Sequence, residues 1–352
     1  MNTLIKTHNS SITENEIIIL DGEVTIPLDY LRSRCTLEST STLIASGSLI
    51  EGIGTIHSDI DCIVLCEARP KANDVTASNH ALVTDINYHY LRQNSEVHNT
   101  TDFYGTSGLH IDIDYITYTE VHEIIKKIHT SYNEVTKDQR FLYSPVLLER
   151  ENNVIHRTLT GHPLFNTPLY SELRSRIPKD KHTYLSHREK LPVFYAFQDI
   201  QGCWQSGNLW MGCEIARDLM FKSTMSLTFL SGMTNKHPKW IYSNMHMLSG
   251  HEELKNSFFE LSRRGARSES ECRRYIEETL NYIDRVFKAL EKILGTSTSL
   301  PSQKESLAAL DEEFNNRKHT EHKVSTCEYY FRKKYFAAED TPSLVSLLKE
   351  WD

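Results

Sequence analysis

The chain lacks the patterns that would tie it to a membrane, a disulfide scaffold or a thiolate metal site. Its seven cysteines, at positions 35, 62, 66, 203, 213, 272 and 327, include no CxxC pair. An odd, scattered set argues against both a disulfide framework and a cysteine-based zinc site, so reduced thiols in a cytoplasmic compartment are the expectation. No run approaches the roughly 18 apolar residues that span a bilayer, and the opening MNTLIKTHNSSITENE lacks the charged-then-apolar order of a signal segment. No membrane partner is therefore expected, and Asn9 and Asn99, although each lies in an Asn-x-Thr/Ser context, are expected to carry no glycan. The 17 histidines contain no HExxH or comparable ligand spacing. Positive charge is in deficit, 39 Lys and Arg against 47 Asp and Glu for a net charge of −8. Such a surface repels nucleic acid at long range, which argues against it as a partner. No internal repeat is present.

What is present centres on Ser46 to Cys66, SGSLIEGIGTIHSDIDCIVLC. A Gly47-Ser48 turn precedes an Asp59-Ile60-Asp61 alternation that runs into an apolar strand, where Cys62 and Cys66 are expected in the core. Side chains alternate faces along a strand, so Asp59 and Asp61 project together. Adjacent carboxylates repel unless a cation lies between them, and hard oxygen ligands suit Mg²⁺. Leu109 to Tyr118 (LHIDIDYITY) repeats the pattern, with Asp112 and Asp114 sharing one face.

At 352 residues, two domains, or one with a helical extension, is the natural expectation. Glu16–Leu20 is a short apolar run, strands are expected at Thr42–Ala45 and Ile60–Cys66, and a helix at Pro27–Arg34. A short helix is expected from Ser48 to about Gly52, its free N–H groups suited to an anion. Residues 67–108 read as a long connection, with one strand or helix near Ala81–Leu91. Thr117 and Glu120 form a capping box ahead of a helix carrying Val121, Ile124, Ile125 and Ile128. Leu142–Leu148 and Val154–Leu159 read as strands around an Asn152-Asn153 turn. Beyond about Asn166 the pattern turns helical, and Ser268 and Glu271 cap a long helix that is expected to end at Gly295.

The ordered set of Gly47-Ser48, Asp59-Ile-Asp61 and a third carboxylate on a later strand resembles the DNA polymerase β-like nucleotidyltransferase superfamily. The resemblance implies that Asp59 and Asp61 hold the metals, that Asp112 completes the site, and that Gly47 and Ser48 contact nucleotide phosphates. Asp114 is the alternative third carboxylate or a general base. Two Mg²⁺ ions, or Mn²⁺, about 3.5–4 Å apart would stabilise the entering and leaving oxygens of an in-line displacement. Asn235-Lys-His-Pro238-Lys239-Trp240 in a helical second half is similar to the bacterial small-molecule branch, which includes the aminoglycoside nucleotidyltransferases. By that analogy Lys239, with Lys236 as alternate, contacts the triphosphate; a solvated lysine beside a core tryptophan is the competing reading. Glu214 and Asp218, one helical turn apart, are further candidates for the base.

The expected architecture is an α/β nucleotidyltransferase head with a mixed twisted sheet over 1–166, a helical bundle domain over 167–295 facing it across a cleft, and a C-terminal extension over 296–352. The aromatic-basic stretch Tyr329–Phe336 within that extension fits a helix docked on its own domain better than a nucleic-acid surface. The reaction implied is transfer of a nucleoside monophosphate, most often AMP from ATP, to a hydroxyl of a small molecule, with pyrophosphate released. A homodimer is compatible with the sequence. The alternatives are a cyclic-oligonucleotide synthase, a protein-modifying enzyme of toxin–antitoxin type, and a degenerate nucleotide-binding module.

Overall fold

A computed structural model describes residues 9–72, 74–75, 96–105, 108–140, 142–316 and 323–350. The chain divides into two units, Met1–Lys127 with Leu147–Pro178, and Ile128–Val146 with Lys179–Asp352. The first holds a mixed sheet with helices and the second is helical.

In the first unit β1 (Ser11–Ile12), β2 (Glu16–Ile19) and β3 (Val24–Pro27) form a small antiparallel sheet, followed by α1 (Leu28–Arg34). The larger sheet takes β4 (Thr42–Ser46), β5 (Ile60–Cys66), β6 (Asn99–Tyr104), β7 (Leu109–Thr117) and β8 (His162–Phe165) in the order β6-β7-β5-β4-β8. Only β5 and β7 run parallel; the other pairs are antiparallel. Both β4 and β5 are buried along their whole length, which fits the apolar runs Leu43–Ala45 and Cys62–Cys66 within them. One face of the sheet presents Leu43, Ala45, Cys62, Val64, Ile111, Ile113 and Tyr115 to a core completed by Ile17, Ile19, Ile26 and Leu31. Each large aliphatic side chain among these contributes about 1.5–3 kcal/mol on full burial. The other face carries the alternating acidic residues.

Three helices accompany the sheet, α2 (Tyr118–Val135), α3 (Glu149–Thr160) and α4 (Thr167–Arg176). The expected capping box opens α2: the Glu120 N–H donates to Thr117 Oγ1 at 3.2 Å, and the Thr117 N–H donates to the Glu120 carboxylate at 2.8 Å. Expectation and structure part at 142–160, where α3 replaces the strand at Val154–Leu159 and no strand forms at Leu142–Leu148. The buried positions are 152, 154, 155, 156 and 158, so every second residue is buried even within the helix, which is why the segment read as a strand. The asparagines make no turn. The Asn152 amide donates to the Leu147 and Leu148 carbonyls, and Glu151 accepts the Leu148 N–H, so the segment is capped at its start.

The 67–108 connection likewise contains a strand, β6, which hides from an apolar pattern because its inward residues are Thr100 and Asp102, the latter paired with Arg34 at 3.1 Å. The element expected near Ala81–Leu91 lies outside the described residues. Ser48–Gly52 forms hydrogen-bonded turns in place of a helix, and Gly295 falls inside a helix rather than past its end.

The second unit contains α5 (Lys179–Lys190), α6 (Phe194–Ser206), α7 (Leu209–Leu230), α8 (Ile241–Met247), α9 (Glu252–Arg263), α10 (Glu269–Thr296), α11 (Lys304–Asn316), α12 (Lys323–Lys333) and α13 (Leu344–Lys349). Helix α7 is its axis, packed by α5, α6 and α10. Its buried Ser223, Thr224 and Thr228 hydroxyls donate back to carbonyls three or four residues earlier, which satisfies them within the helix. All seven cysteines of the chain are buried and none is in a disulfide. The aromatic-basic C-terminal stretch is core: Phe331 packs against Phe194, Phe197 and Phe287. Lys334, almost fully buried, meets Asp284 at 2.7 Å, and Asp284 also accepts the Leu344 N–H at 2.7 Å.

His187 on α5 is buried and hydrogen-bonded through Nδ1 to Ser226 at 2.8 Å. Burial, aided by the neighbouring Arg188 charge, pushes its imidazole down to about 3. The unfolded chain takes up this proton below about pH 6.5, whereas the folded chain resists until about pH 3. In that window the unfolded state binds more protons, so stability falls as pH falls. Urea denaturation of wild type and His187→Asn between pH 7 and 4 is expected to show a wild-type slope steeper by up to about 1.4 kcal/mol per pH unit.

Candidate active site

The parallel register of β5 and β7 sets Asp61 directly opposite Asp112, with Ile63 opposite Asp114. Asp59 precedes β5 by one residue. Carboxylate oxygens of Asp59, Asp61 and Asp112 all lie within 4.8 Å of one another. Strand β6 brings Thr101 opposite Asp112, and its hydroxyl donates to Asp112 Oδ1 at 2.6 Å. On the other side β4 sets Ser46 opposite Asp61, and its Oγ donates to the Asp61 carbonyl at 3.1 Å.

This concentration of charge shows in the acidities. Burial pushes the Asp61 carboxyl up to about 7, against the pull of Arg157 and with help from the charges of Asp59, Asp112 and Asp114. Burial also raises Asp112; Thr101 opposes that rise, while the charge of Asp59 and a hydrogen bond with it add to it. Carboxylates packed this closely leave the cluster short of positive charge.

Two features were not legible in the motif. Arg157, from the last turn of α3, bridges the acids: Nη2 donates to Asp61 Oδ1 at 2.5 Å and Nη1 to Asp114 Oδ2 at 2.9 Å. Its neighbour His156 meets Glu51, in the turn after Ser48, at 2.9 Å. Reading 154–159 as a strand removed both from view. The available signal was electrostatic: four carboxylates on one face demand a cation from somewhere, and α3 supplies it.

Gly47 is required twice. Its φ is +92°, a conformation that side chains disfavour, and a Cβ there would lie 2.2 Å from Asp61 Oδ2. The turn it opens is closed by the Glu51 N–H to the Gly47 carbonyl and by the Ile53 and Gly54 N–H groups to the Ser48 carbonyl. The Gly-Ser turn thus lies against the acidic cluster itself. Three convergent hard-oxygen ligands with a charge deficit are a donor set that fits Mg²⁺ or Mn²⁺.

The remaining candidates belong to the helical unit. Lys236 is ion-paired with Glu189, both largely buried; burial lowers the Lys236 ammonium while Glu189 raises it. Lys239 is exposed, its Nζ 4.9 Å from the Trp240 ring centre. Glu214 and Asp218 are exposed on α7, and Asp218 pairs with Lys222 at 2.7 Å.

No family model matches the chain, and no curated protein does. Among solved structures it is similar to a nucleotidyltransferase-like protein from Exiguobacterium sibiricum 255-15, at 10% sequence identity over 82% of this chain and 86% of that one, with a TM-score of 0.36. At that level the likeness carries no argument about chemistry. The functional reading rests on the side chains.

Gly47→Ala is expected to lose about 1–2 kcal/mol of stability from its left-handed backbone alone, and to displace Asp61 as well. Gly22→Ala is the control, since Gly22 has φ +94° and a Cβ added there would meet nothing within 4 Å. Urea denaturation should show both losses. Only Gly47→Ala is expected to weaken Mn²⁺ binding in a calorimetric titration.

Proposed function

We propose that the chain is a metal-dependent nucleotidyltransferase that moves a nucleoside monophosphate, AMP from ATP first among them, to a hydroxyl of a small-molecule acceptor. The observation that carries this reading is the convergence of Asp59, Asp61 and Asp112 on adjacent parallel strands, against a turn whose glycine leaves room for the Asp61 carboxylate. These three residues would hold Mg²⁺, or Mn²⁺ in its place. When bound, the metal supplies the positive charge that a triphosphate and its leaving pyrophosphate require.

The chain's own residues account for the rest of the chemistry. The acceptor oxygen bonds to the α-phosphorus, the bond from that phosphorus to the β-bridging oxygen breaks, and the acceptor proton passes to a carboxylate, for which Asp114, Glu214 and Asp218 are the candidates. Gly47 and Ser48 bound the phosphate side of the site. Lys239, with Lys236 as alternate, neutralises the triphosphate. The buried thiols, none of them in a disulfide, suit a reducing cytoplasm, and no described helix is long and apolar enough to cross a membrane.

The test is incubation with each α-³²P-labelled nucleoside triphosphate, Mg²⁺ and a panel of hydroxylated metabolites, with products resolved by mass. Label on a small molecule supports the proposal. Label on a macromolecule, or a nucleotide-only product, moves the acceptor to another class, and binding of ATP without turnover makes the chain a binding module. Asp59→Asn and Asp61→Asn are each expected to lower transfer by at least about 10²-fold while the protein stays folded by circular dichroism. Near-normal turnover in either would sink the mechanism. Lys239→Ala is expected to raise the KM for nucleotide, and an unchanged KM would leave it a surface residue.

A further inference from the structure

Four carboxylates share one face of the sheet, and a single guanidinium answers two of them. Arg157 divides its two terminal nitrogens between strands, Nη2 on Asp61 of β5 and Nη1 on Asp114 of β7. It does not bond to Asp59 or Asp112, the other two members of the convergent trio. The helix that carries it is fixed at that point. The Gly161 N–H donates to the Arg157 carbonyl at 2.8 Å, and a Cβ on Gly161 would lie 2.5 Å from both that oxygen and the Ile44 side chain, and 2.9 Å from the Ala45 carbonyl. With the backbone pressed onto β4, only the side chain is free to yield.

The guanidinium therefore holds one oxygen of Asp61 with a permanent charge, in a cluster otherwise short of cations. A divalent ion placed among Asp59, Asp61 and Asp112 would meet that charge across the shared Asp61 carboxylate. Cation and guanidinium repel each other, and they compete for the same ligand.

We infer that Arg157 is the internal counter-ion of the metal-free site, held on Asp114 as a tether, and that metal binding displaces its Nη2 from Asp61. This rests on the reading of Asp59, Asp61 and Asp112 as the cation ligands. It gives the two acids of β7 separate duties: Asp112 serves the metal and Asp114 holds Arg157, which removes Asp114 from the candidates for general base. Arg157 is thus a positioning residue, which holds the Asp61 carboxylate in place until a metal arrives.

The experiment uses Mn²⁺ alone, with no nucleotide, on the full chain. Affinity is read by electron paramagnetic resonance titration, and stability by thermal unfolding in EDTA and in saturating Mn²⁺. Arg157→Met is expected to bind Mn²⁺ roughly tenfold more tightly than wild type, since a competing charge is gone. Its Tm is expected to fall in EDTA and to recover in Mn²⁺, whereas the wild-type Tm changes less between the two. A residue needed only for packing would lower Tm in both media and leave affinity equal or weaker, and that result overturns the inference. Should Arg157→Met fail to fold in EDTA, Arg157→Met with Asp114→Asn removes the pair together and is expected to show the same tightening. Loss of Mn²⁺ binding in Asp59→Asn with unchanged affinity in both Arg157 variants overturns the counter-ion role alone. Absence of Mn²⁺ binding in wild type and in both Arg157 variants overturns the metal reading and this inference together.

Discussion

The first unit is built around a repulsion. Parallel pairing of β5 with β7 brings Asp61 alongside Asp112, and the short approach to β5 adds Asp59. Like charges at this spacing, Asp61 buried and the others half-buried, are unfavourable by several kcal/mol unless they are neutralised. The surroundings read as a set of answers to that problem. Thr101 donates to Asp112, Arg157 donates to Asp61 and Asp114, and Gly47 gives up its side chain so that Asp61 has room. Each answer costs something, which is why a site of this kind is unfavourable to keep without a purpose.

The opposite face of the same sheet supplies the stability that offsets the acidic face. Leu43, Cys62, Val64, Ile111 and Ile113 are closed over by the small sheet and α1. The period-two alternation of β7 serves both faces at once, since every shift of register by one residue would turn Ile111 and Ile113 out and the aspartates in. Register, core and site are consequently one constraint. The alternation Ile-Asp-Ile-Asp made β7 legible from sequence because it satisfies all three.

Where local pattern and tertiary role coincide, the sequence was readable: β4, β5, β7, the capping box of α2 and the long stripe of α10 follow from periodicity and capping alone. It failed where polar residues are buried for tertiary reasons. Strand β6 turns Thr100 and Asp102 inward, and α3 buries Asn152 and His156, so neither segment displays a clean apolar face. The same cause hid part of the site. A Gly-Ser turn and an Asp-x-Asp strand are local signatures, whereas Arg157 lies 96 residues from Asp61 and is recognisable only once the fold has brought them together.

That distinction between local signature and tertiary commitment also separates the two lysines considered for the triphosphate. Lys236 already commits its charge to Glu189 in a largely buried pair. To meet a phosphate it would have to leave that carboxylate behind, and breaking a buried pair costs about 3–5 kcal/mol. Lys239 is exposed and rests on the face of Trp240, a contact worth about 0.5–1 kcal/mol at such a site. An anion would draw on the Lys239 charge at almost no structural cost, since the aromatic face holds the ammonium without neutralising it. The two lysines thus differ in what each side chain would have to give up: a buried ion pair for Lys236, an exposed aromatic contact for Lys239.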